Sequence, residues 1–282
     1  MADFSGSMVA IVTPFADGEL DIEAFSGLVE WQLASGTNGL VVCGTTGEAA
    51  TLHAEEKEIL CRRALELAKG SVPVVLGTGG NATAASVQLT QAAKGWGADG
   101  ALVVTPYYNK PNQEGLYQHF AAIAKVGLPM VAYDVPGRTG VTLAEETVHR
   151  IAELDSVVAL KDATLDVERA GRLASDTSLD ILSGDDGMTL PMMQRGAVGV
   201  ISVAANVVPD QMAQLCAEQD QALHEHLTPL FVELFCDTNP IPLKFALSAL
   251  GRIRNELRLP LVPLSTELEP VVLEALRQTQ AS

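Results

Sequence analysis

The stretch Gly100-Ala101-Leu102-Val103-Val104 is a continuous apolar run that ends at the polar residue Thr105. Runs without polar alternation are typical of parallel strands that are covered on both faces. Other runs of this kind are spaced along the chain by roughly the length of a βαβ unit. They are Met8–Val12, Gly39–Val42, Val72–Leu76, Pro129–Tyr133, Val157–Leu160, Ile181–Ser183 and Gly199–Ser202. The sequence therefore predicts eight buried parallel strands.

The segments between these runs carry helical signals. Asp21 stands before apolar residues at helical spacing, and Gly36 follows them, which predicts a capped helix that begins at Ile22. Thr142 and Glu145 have capping-box spacing, which predicts another helix start. Further helices are predicted over Ala54–Lys69 and Gln113–Val126.

Eight strands that alternate with helices predict an α/β fold, a closed eight-stranded (β/α) TIM barrel. A doubly wound open sheet is the competing architecture, but it usually has a Gly-rich turn after its first strand. Here that strand ends Val12-Thr13-Pro14-Phe15. We predict a barrel that carries the active site over residues 1–206. Residues 207–282 are predicted to form a C-terminal helical extension of the same unit, with helices such as Pro242–Leu250 and Glu269–Gln280.

Composition excludes several classes of protein. Of the 282 residues, 48% are hydrophobic and 19% are charged, which supports a large core and argues against disorder. The net charge of −17 argues against nucleic acid or an anionic membrane as a partner. No apolar run reaches the roughly 18 residues that a membrane span needs.

The cysteines and the start of the chain predict a cytoplasmic protein. The start, Met1–Ser5, has no basic region followed by an apolar stretch, so no secretory signal is predicted. The four cysteines form no CxxC pair, which is typical of reduced thiols. Neither they nor the five histidines have metal-ligand spacing, so no metal site is expected.

In a parallel barrel the active site forms where the strands end at their carboxyl side. Lys161 closes the apolar run Val157–Leu160, at a place where another apolar residue is expected. Burial disfavours the charged ammonium and lowers its pKa from about 10.4, and a neutral amine can form a Schiff base with a carbonyl. The simpler interpretation is a lysine that extends to water from the strand end.

Other strand ends carry groups that suit a small anionic carbonyl compound. Tyr133 ends the neighbouring strand and can move protons, although a core aromatic is the simpler interpretation. The turn holding Thr45 and Thr46 offers hydroxyl and N–H groups, but Gly-containing turns are also common after strands. Arg138 can bind a carboxylate or form a surface ion pair. The pair Asp185-Asp186 is weak support for a metal and more typical of helix capping.

Together these segments resemble the dihydrodipicolinate synthase family, within the N-acetylneuraminate lyase superfamily. The resemblance extends from about residue 5 to residue 263. The motifs that carry it are VAIVTPF (9–15), GTTGEAATL (44–52), VTPYYNKPNQEGLYQHF (104–120), YDVPGRTG (133–140), LKDAT (160–164), LSGDD (182–186) and GVISVAANV (199–207).

The resemblance implies a role for each matching residue. Lys161 matches the lysine that forms the Schiff base with pyruvate, and Thr46 matches the residue that binds the pyruvate carboxylate. Arg138 matches the arginine that holds the carboxylate of aspartate semialdehyde. The implied proton relay consists of Tyr133, Thr45 and Tyr108, the last reaching into a neighbouring subunit. The backbone carbonyls of Gly184 and Ile201 are expected to line the site.

The implied enzyme is a lyase of diaminopimelate and lysine biosynthesis that condenses pyruvate with L-aspartate 4-semialdehyde to give 4-hydroxy-tetrahydrodipicolinate. The family needs no metal and no organic cofactor, and it usually forms a homotetramer built as a dimer of dimers. The nearest alternatives are lyases or aldolases of the same superfamily that act on sialate or 2-keto-3-deoxy sugar acids. A non-catalytic ligand-binding barrel and a metal-dependent aldolase are more distant alternatives.

Two positions depart from the family pattern. Asp134 stands where many members have Asn, and no change of reaction is expected from it. Members that bind lysine at the dimer interface tend to have a His and an acidic residue in the segments that hold Lys57 and Ala85 here. Tyr107 and Asn81 are retained, but an effector ammonium would lose its carboxylate partner and meet a like charge. We therefore predict weak or absent inhibition by lysine.

Overall fold

The computed structural model describes residues 3–280, so Met1 and Ala2 of the N-terminal segment lie outside the described residues. It contains a closed barrel of eight parallel strands. These are β1 (Gly6–Ala10), β4 (Gly39–Val42), β5 (Val74–Gly77), β6 (Gly100–Val104), β7 (Met130–Asp134), β8 (Val157–Asp162), β9 (Asp180–Ser183) and β10 (Gly199–Ser202). A small hairpin of β2 (Phe15–Ala16) and β3 (Glu19–Leu20) follows β1. The predicted barrel is confirmed, and β1 closes it by pairing with both β4 and β10.

Helices cover the outside of the barrel. They are α1 (Ile22–Ala34), α2 (Ala54–Ala68), α3 (Thr83–Trp96), α4 (Gln113–Ala124), α5 (Pro136–Thr139), α6 (Glu145–Ala152), α7 (Val167–Asp176), α8 (Thr189–Met193), α9 (Pro209–Glu218), α10 (Gln221–Glu233), α11 (Ile241–Ala249) and α12 (Glu269–Gln280). Short 3₁₀ turns cover Ala49–Thr51 and Ala204–Asn206. The predicted cap of α1 is confirmed, because the Asp21 carboxylate accepts a hydrogen bond from the Ala24 N–H at 2.9 Å.

Five strands differ from their predicted bounds. Strands β5, β7 and β9 differ by only one or two residues at an end, and the other two differ for identifiable reasons. The first ends at Ala10 instead of Val12, because the Asn206 side chain takes the Val12 N–H that a neighbouring strand would otherwise accept. The sixth barrel strand, β8, extends beyond Leu160 to Asp162, where its polar residues still pair with both neighbouring strands. A prediction based on apolar runs stops at the first polar residue. It therefore misses the end of a strand that carries polar residues.

The predicted capping box at Thr142 and Glu145 is wrong. Helix α6 begins at Glu145 itself, and Ala144 occupies the cap position. The Thr142 hydroxyl instead donates to the Asp134 carboxylate at 2.9 Å. The Gln113 side chain accepts from the Ala144 N–H at 3.0 Å, so a residue of α4 satisfies this helix end.

The core has two layers, as expected for a barrel. One cluster comprises alternate strand residues that face the barrel interior, among them Met8, Val41, Leu102, Val131 and Tyr133. The larger cluster lies between the strands and the helices. Inward-facing residues fill the interior of the barrel, and the cavity described below opens at the carboxyl ends of the strands.

The C-terminal helices pack against the barrel unit. Helix α9 contacts β1, while α10 and α11 both contact α12. Helix α11 also contacts the 3₁₀ turn after β10. The division between residues 206 and 207 stays a prediction. Over residues 3–280, no helix has the length and apolar character needed to cross a membrane.

Candidate active site

Lys161 and Tyr133 lie side by side at the carboxyl ends of adjacent strands. They are direct partners in the register of β8 and β7. The Lys161 Nζ atom lies 4.4 Å from the centroid of the Tyr133 ring. The parallel pairing therefore places an amine and a phenol within reach of one small molecule.

A cavity of about 170 Å³ opens at this end of the barrel. Six of the predicted site residues line it: Thr45, Thr46, Tyr133, Arg138, Lys161 and Gly184. Its other walls include apolar side chains such as Ala10, Val41 and Leu102. The cavity combines a few polar groups with an apolar floor, as small-molecule sites usually do.

Burial changes the protonation of Lys161. Its side chain is only 6% exposed, and removal from water lowers its pKa to about 8. Asp186 opposes this lowering, whereas Arg138 adds to it. Within residues 3–280 the ammonium forms no ion pair. A substantial fraction of this amine is therefore neutral near pH 8 and able to attack a carbonyl.

Tyr133 is held in its neutral form. Burial raises its pKa to about 12, while Arg138 and the nearby Thr45 side chain favour the ionised phenol and oppose the rise. A phenol with this pKa stays protonated at neutral pH, so it donates and accepts protons through its hydroxyl group. Tyr133 and Thr45 line the same cavity, and the relay between them stays a prediction.

The Thr45–Thr46 turn is held from two sides. The Glu48 N–H donates to the Thr45 carbonyl at 3.0 Å and closes the turn. The Asn239 amide Nδ2 donates to the Thr46 hydroxyl oxygen at 3.0 Å. This hydroxyl accepts from Asn239, so its own proton is available to a ligand in the cavity.

Arg138 lies on the short helix α5, which begins at Pro136 and ends at Thr139, with Gly140 as its C-cap. Its guanidinium donates to the Asn239 carbonyl at 3.3 Å and is otherwise at the exposed mouth of the cavity. A guanidinium at a cavity mouth can bind a carboxylate through two hydrogen bonds. Arg138 lines the same cavity as Lys161, and its predicted role in binding a carboxylate stays a prediction.

The turn after β9 brings backbone close to the site. A side chain at Gly184 would place its Cβ 2.7 Å from the Ala163 Cβ, so only glycine allows this approach. The two acids that follow have different roles. Asp185 lines the cavity and accepts from the Met188 N–H at 3.2 Å, but Met188 is itself the cap residue of α8 and the helix has no side-chain cap, so the capping interpretation is wrong. Asp186 is buried and accepts from the Ser202 hydroxyl at 2.5 Å.

Asp134 points away from the cavity into a buried ion cluster. Its carboxylate accepts from Arg169 at 3.1 Å and from the Leu143 N–H at 3.0 Å. Arg169 also pairs with Asp162, the residue after Lys161. Burial raises the pKa of Asp134 to about 6, against the effect of Arg169. Asp134 does not line the cavity.

Two predicted site residues are not part of the cavity wall. Ile201 is buried in the interior cluster of the barrel and pairs with Met8 across the β10–β1 register. Tyr108 is 90% exposed and adopts a left-handed backbone conformation with φ of 74°. Their roles stay predictions.

Some cavity residues escaped the sequence reasoning. Phe235 and Asn239 belong to the C-terminal extension, where no pattern marked them as site residues. Leu165 lines the mouth, is 58% exposed and has a φ of 65°, an unusual conformation for leucine. No local signal in the sequence distinguishes these three residues. Over residues 3–280, no group of three or more His, Cys, Asp or Glu residues is arranged to hold a metal ion.

Comparison with known proteins identifies the family. Residues 3–279 match the model of the Dihydrodipicolinate synthetase family. The chain belongs to this family. A 4-hydroxy-tetrahydrodipicolinate synthase of Oleidesulfovibrio alaskensis is 49% identical over 277 residues, which cover 94% of this chain and 95% of that protein. The resemblance inferred from the motifs is thereby confirmed.

Solved structures of this family share the fold. A dihydrodipicolinate synthase from Thermotoga maritima has 45% identity and a TM-score of 0.96, covering 98% of this chain and 99% of that chain. A chloride-inhibited dihydrodipicolinate synthase from Acinetobacter baumannii, complexed with pyruvate, has 44% identity and a TM-score of 0.97. That match covers 99% of this chain and 100% of the other. Members of the dihydrodipicolinate synthase family are thus similar to this chain over its whole length.

Proposed function

We propose that the chain condenses pyruvate with L-aspartate 4-semialdehyde to give 4-hydroxy-tetrahydrodipicolinate, the reaction named for its curated relatives. This lyase reaction belongs to diaminopimelate and lysine biosynthesis. The observation that carries the proposal is the buried Lys161 amine beside the Tyr133 ring, within a cavity at the carboxyl end of the barrel.

The proposed reaction begins when the neutral Lys161 amine attacks C2 of pyruvate. Loss of water gives an imine, and loss of a proton from the methyl carbon gives an enamine. The enamine carbon then forms a C–C bond with the aldehyde carbon of the semialdehyde. The amino group of the semialdehyde attacks the imine carbon, closes the ring and displaces Lys161. We assign the proton transfers of these steps to Tyr133 and Thr45, and the position of both residues in the cavity wall supports this assignment.

Two groups are assigned to the substrate carboxylates. Thr46 and the adjacent turn are proposed to bind the pyruvate carboxylate, and Arg138 that of the semialdehyde. The protein carries a net charge of −17, so a distant field attracts neither anion. Local donors therefore have to supply the attraction, which makes the guanidinium at the mouth important for the second substrate.

The proposal is tested by following pyruvate consumption in the presence and absence of L-aspartate 4-semialdehyde. Consumption that depends on the semialdehyde supports it. If pyruvate is trapped on Lys161 by borohydride but the semialdehyde is not consumed, the chain is a Schiff-base enzyme with another acceptor, such as a sugar-acid aldehyde. If no adduct is trapped, the Schiff-base mechanism is wrong.

Substitution of Arg138 is expected to affect the second substrate selectively. The Arg138→Ala variant should raise the KM for the semialdehyde by at least about tenfold, because a charge-assisted hydrogen bond to its carboxylate is lost. The KM for pyruvate should change much less. Arg172→Ala removes an exposed arginine on the outside of the barrel and is the matched control. Unchanged semialdehyde kinetics in Arg138→Ala would remove this residue from the site.

We further propose that Tyr108 completes the relay in a neighbouring copy, within a cytoplasmic homotetramer built as a dimer of dimers. The high exposure of Tyr108 and its absence from the cavity wall of its own chain support this assignment. The four free cysteines fit a reducing compartment.

Mixing two inactive variants tests delivery from a second subunit. Tyr108→Phe and Lys161→Ala homo-oligomers should each be nearly inactive. Co-refolded mixtures should regain activity, because one site of each mixed pair combines an intact Lys161 with an intact Tyr108 from the other chain. A mixture that stays as inactive as its parents, despite mixed assembly seen by native mass spectrometry, would contradict the assignment.

Inhibition by lysine is expected to be weak or absent. Lys57 on α2 and Ala85 on α3 stand in segments where lysine-binding members have a His and an acidic residue. The effector ammonium therefore meets a cation and no carboxylate. Initial rates across a lysine titration provide the measurement, and Lys57→His with Ala85→Glu is expected to strengthen inhibition. Strong inhibition of the unmodified chain at sub-millimolar lysine would show the prediction to be wrong.

A further inference from the structure

A buried ion pair joins the C-terminal extension to the turn that carries Thr45 and Thr46. Lys244 of α11 pairs with Glu48, and their side chains are 0% and 1% exposed. Each of the two groups makes one further hydrogen bond. Lys244 Nζ donates to the Glu256 carbonyl at 2.8 Å, and the Arg258 N–H donates to the Glu48 carboxylate at 3.0 Å. The reaction steps proposed above do not use this pair.

Stability alone is a weak reason for such a pair. Two buried charges lose so much hydration that well-packed apolar residues of similar volume often stabilise a fold equally well. Glu48 also adopts a left-handed backbone conformation, with φ of 52° and ψ of 36°. Residues other than glycine rarely adopt this conformation. A buried charged residue in an unfavourable conformation indicates that the position of the turn carrying Thr45 and Thr46 matters for function.

The geometry shows what the pair holds in place. The Glu48 N–H closes the turn by donating to the Thr45 carbonyl. Asn239, five residues before Lys244, donates to the Thr46 hydroxyl oxygen at 3.0 Å. One short segment of the C-terminal extension thus contacts the turn at two points, through an amide at Thr46 and through an ammonium at Glu48. Together the two contacts restrict both the position and the tilt of the turn.

We propose that Glu48 and Lys244 are positioning residues for the α-keto acid substrate: their ion pair fixes the Thr45–Thr46 turn against α11 so that the Thr46 hydroxyl meets the substrate carboxylate. This inference rests on the proposed function only in taking pyruvate as the keto acid that Lys161 binds. It makes the C-terminal extension part of the substrate site, although no charged residue between 207 and 280 lines the cavity.

The test measures borohydride trapping of pyruvate on Lys161 as a function of pyruvate concentration, so it needs no aldehyde. Lys244→Met and the nearly isosteric Glu48→Gln are expected to raise the half-saturating pyruvate concentration by about tenfold, the loss expected for one misplaced hydrogen bond to a charged group. The trapping rate at saturating pyruvate should change less than about threefold, because neither residue contacts Lys161.

A double variant separates positioning from general stabilisation. If the pair acts through Thr46, then adding Lys244→Met to Thr46→Val should raise the half-saturating concentration little beyond that of Thr46→Val alone. The matched control is Arg258→Met, which removes a guanidinium bound to Glu56 but keeps the backbone N–H that reaches Glu48. It should lower the melting temperature and leave the pyruvate dependence within about threefold of wild type.

Each outcome decides between the alternatives. Positioning is supported if Lys244→Met and Glu48→Gln raise the half-saturating pyruvate concentration selectively, and if Lys244→Met raises it little further when Thr46→Val is already present. Unchanged pyruvate dependence in Glu48→Gln, or effects fully additive with Thr46→Val, would overturn it. A proportional loss of trapping rate and affinity together with a low melting temperature would assign the pair to stability alone. No trapping even in the wild type would overturn the proposed function, and this inference with it.

Discussion

The Lys161→Met variant is expected to lose at least about 10³-fold of its turnover, because it lacks the amine that forms the imine. Methionine fills a volume similar to that of lysine. Its thioether can pack on the Tyr133 ring, which lies 4.4 Å from Nζ in the wild type. The substitution therefore removes the nucleophile while it preserves the packing of the cavity floor.

The same variant is expected to be more stable to heat than the wild type. Burial lowers the pKa of Lys161 to about 8, which means that the fold disfavours its charged form. In the unfolded chain this amine is fully hydrated, so wild-type folding at neutral pH carries a desolvation cost that methionine avoids. A rise in stability with a loss of activity is typical of residues retained for function.

Both effects are measurable in parallel. Semialdehyde-dependent pyruvate consumption gives turnover, mass spectrometry after borohydride treatment locates the adduct, and a thermal melt gives stability. Lys125→Met, at an exposed position after α4, is the matched control and should retain both activity and adduct. An adduct that persists in Lys161→Met would assign the nucleophile to another lysine.

The sequence could predict the catalytic pair because parallel strands impose a simple rule. Lys161 and Tyr133 each end an apolar run, and carboxyl ends of neighbouring parallel strands meet at one rim. The register β7–β8 then makes them direct partners. No information from distant parts of the chain is needed for this inference. The same rule placed the Thr45–Thr46 turn and Gly184 at the cavity.

The rest of the site depends on contacts between distant segments, which local patterns do not encode. Asn239 reaches Thr46 across 193 positions of sequence, and its surroundings carry no strand or cap signal. Thr142 has the spacing of a helix cap, yet the buried carboxylate of Asp134 is a stronger partner for its hydroxyl. Local spacing is a weak criterion wherever a buried charge competes for the same donor.

Tyr133→Phe is expected to lower kcat by about 10²–10⁴-fold while the concentration of pyruvate that half-saturates imine trapping changes little. The substitution keeps the ring that packs beside Lys161, so the burial that lowers the lysine pKa is retained. Only the phenol hydroxyl, whose pKa the nearby Thr45 side chain influences, is lost. Because this phenol has a pKa of about 12, it acts as a neutral group that accepts one proton while it donates another.

A proton-relay role and a substrate-binding role predict different behaviour for Tyr133→Phe. Proton transfers accompany carbinolamine collapse and enamine formation, so exchange of the pyruvate methyl hydrogens with deuterated solvent should slow together with kcat. A residue that only oriented pyruvate would instead raise its KM and leave exchange at saturation unchanged. Tyr117→Phe is the matched control, since that ring packs under Arg150 on the outside of the barrel. Wild-type exchange rates in Tyr133→Phe would assign the proton transfers to another group and leave Tyr133 a packing role beside Lys161.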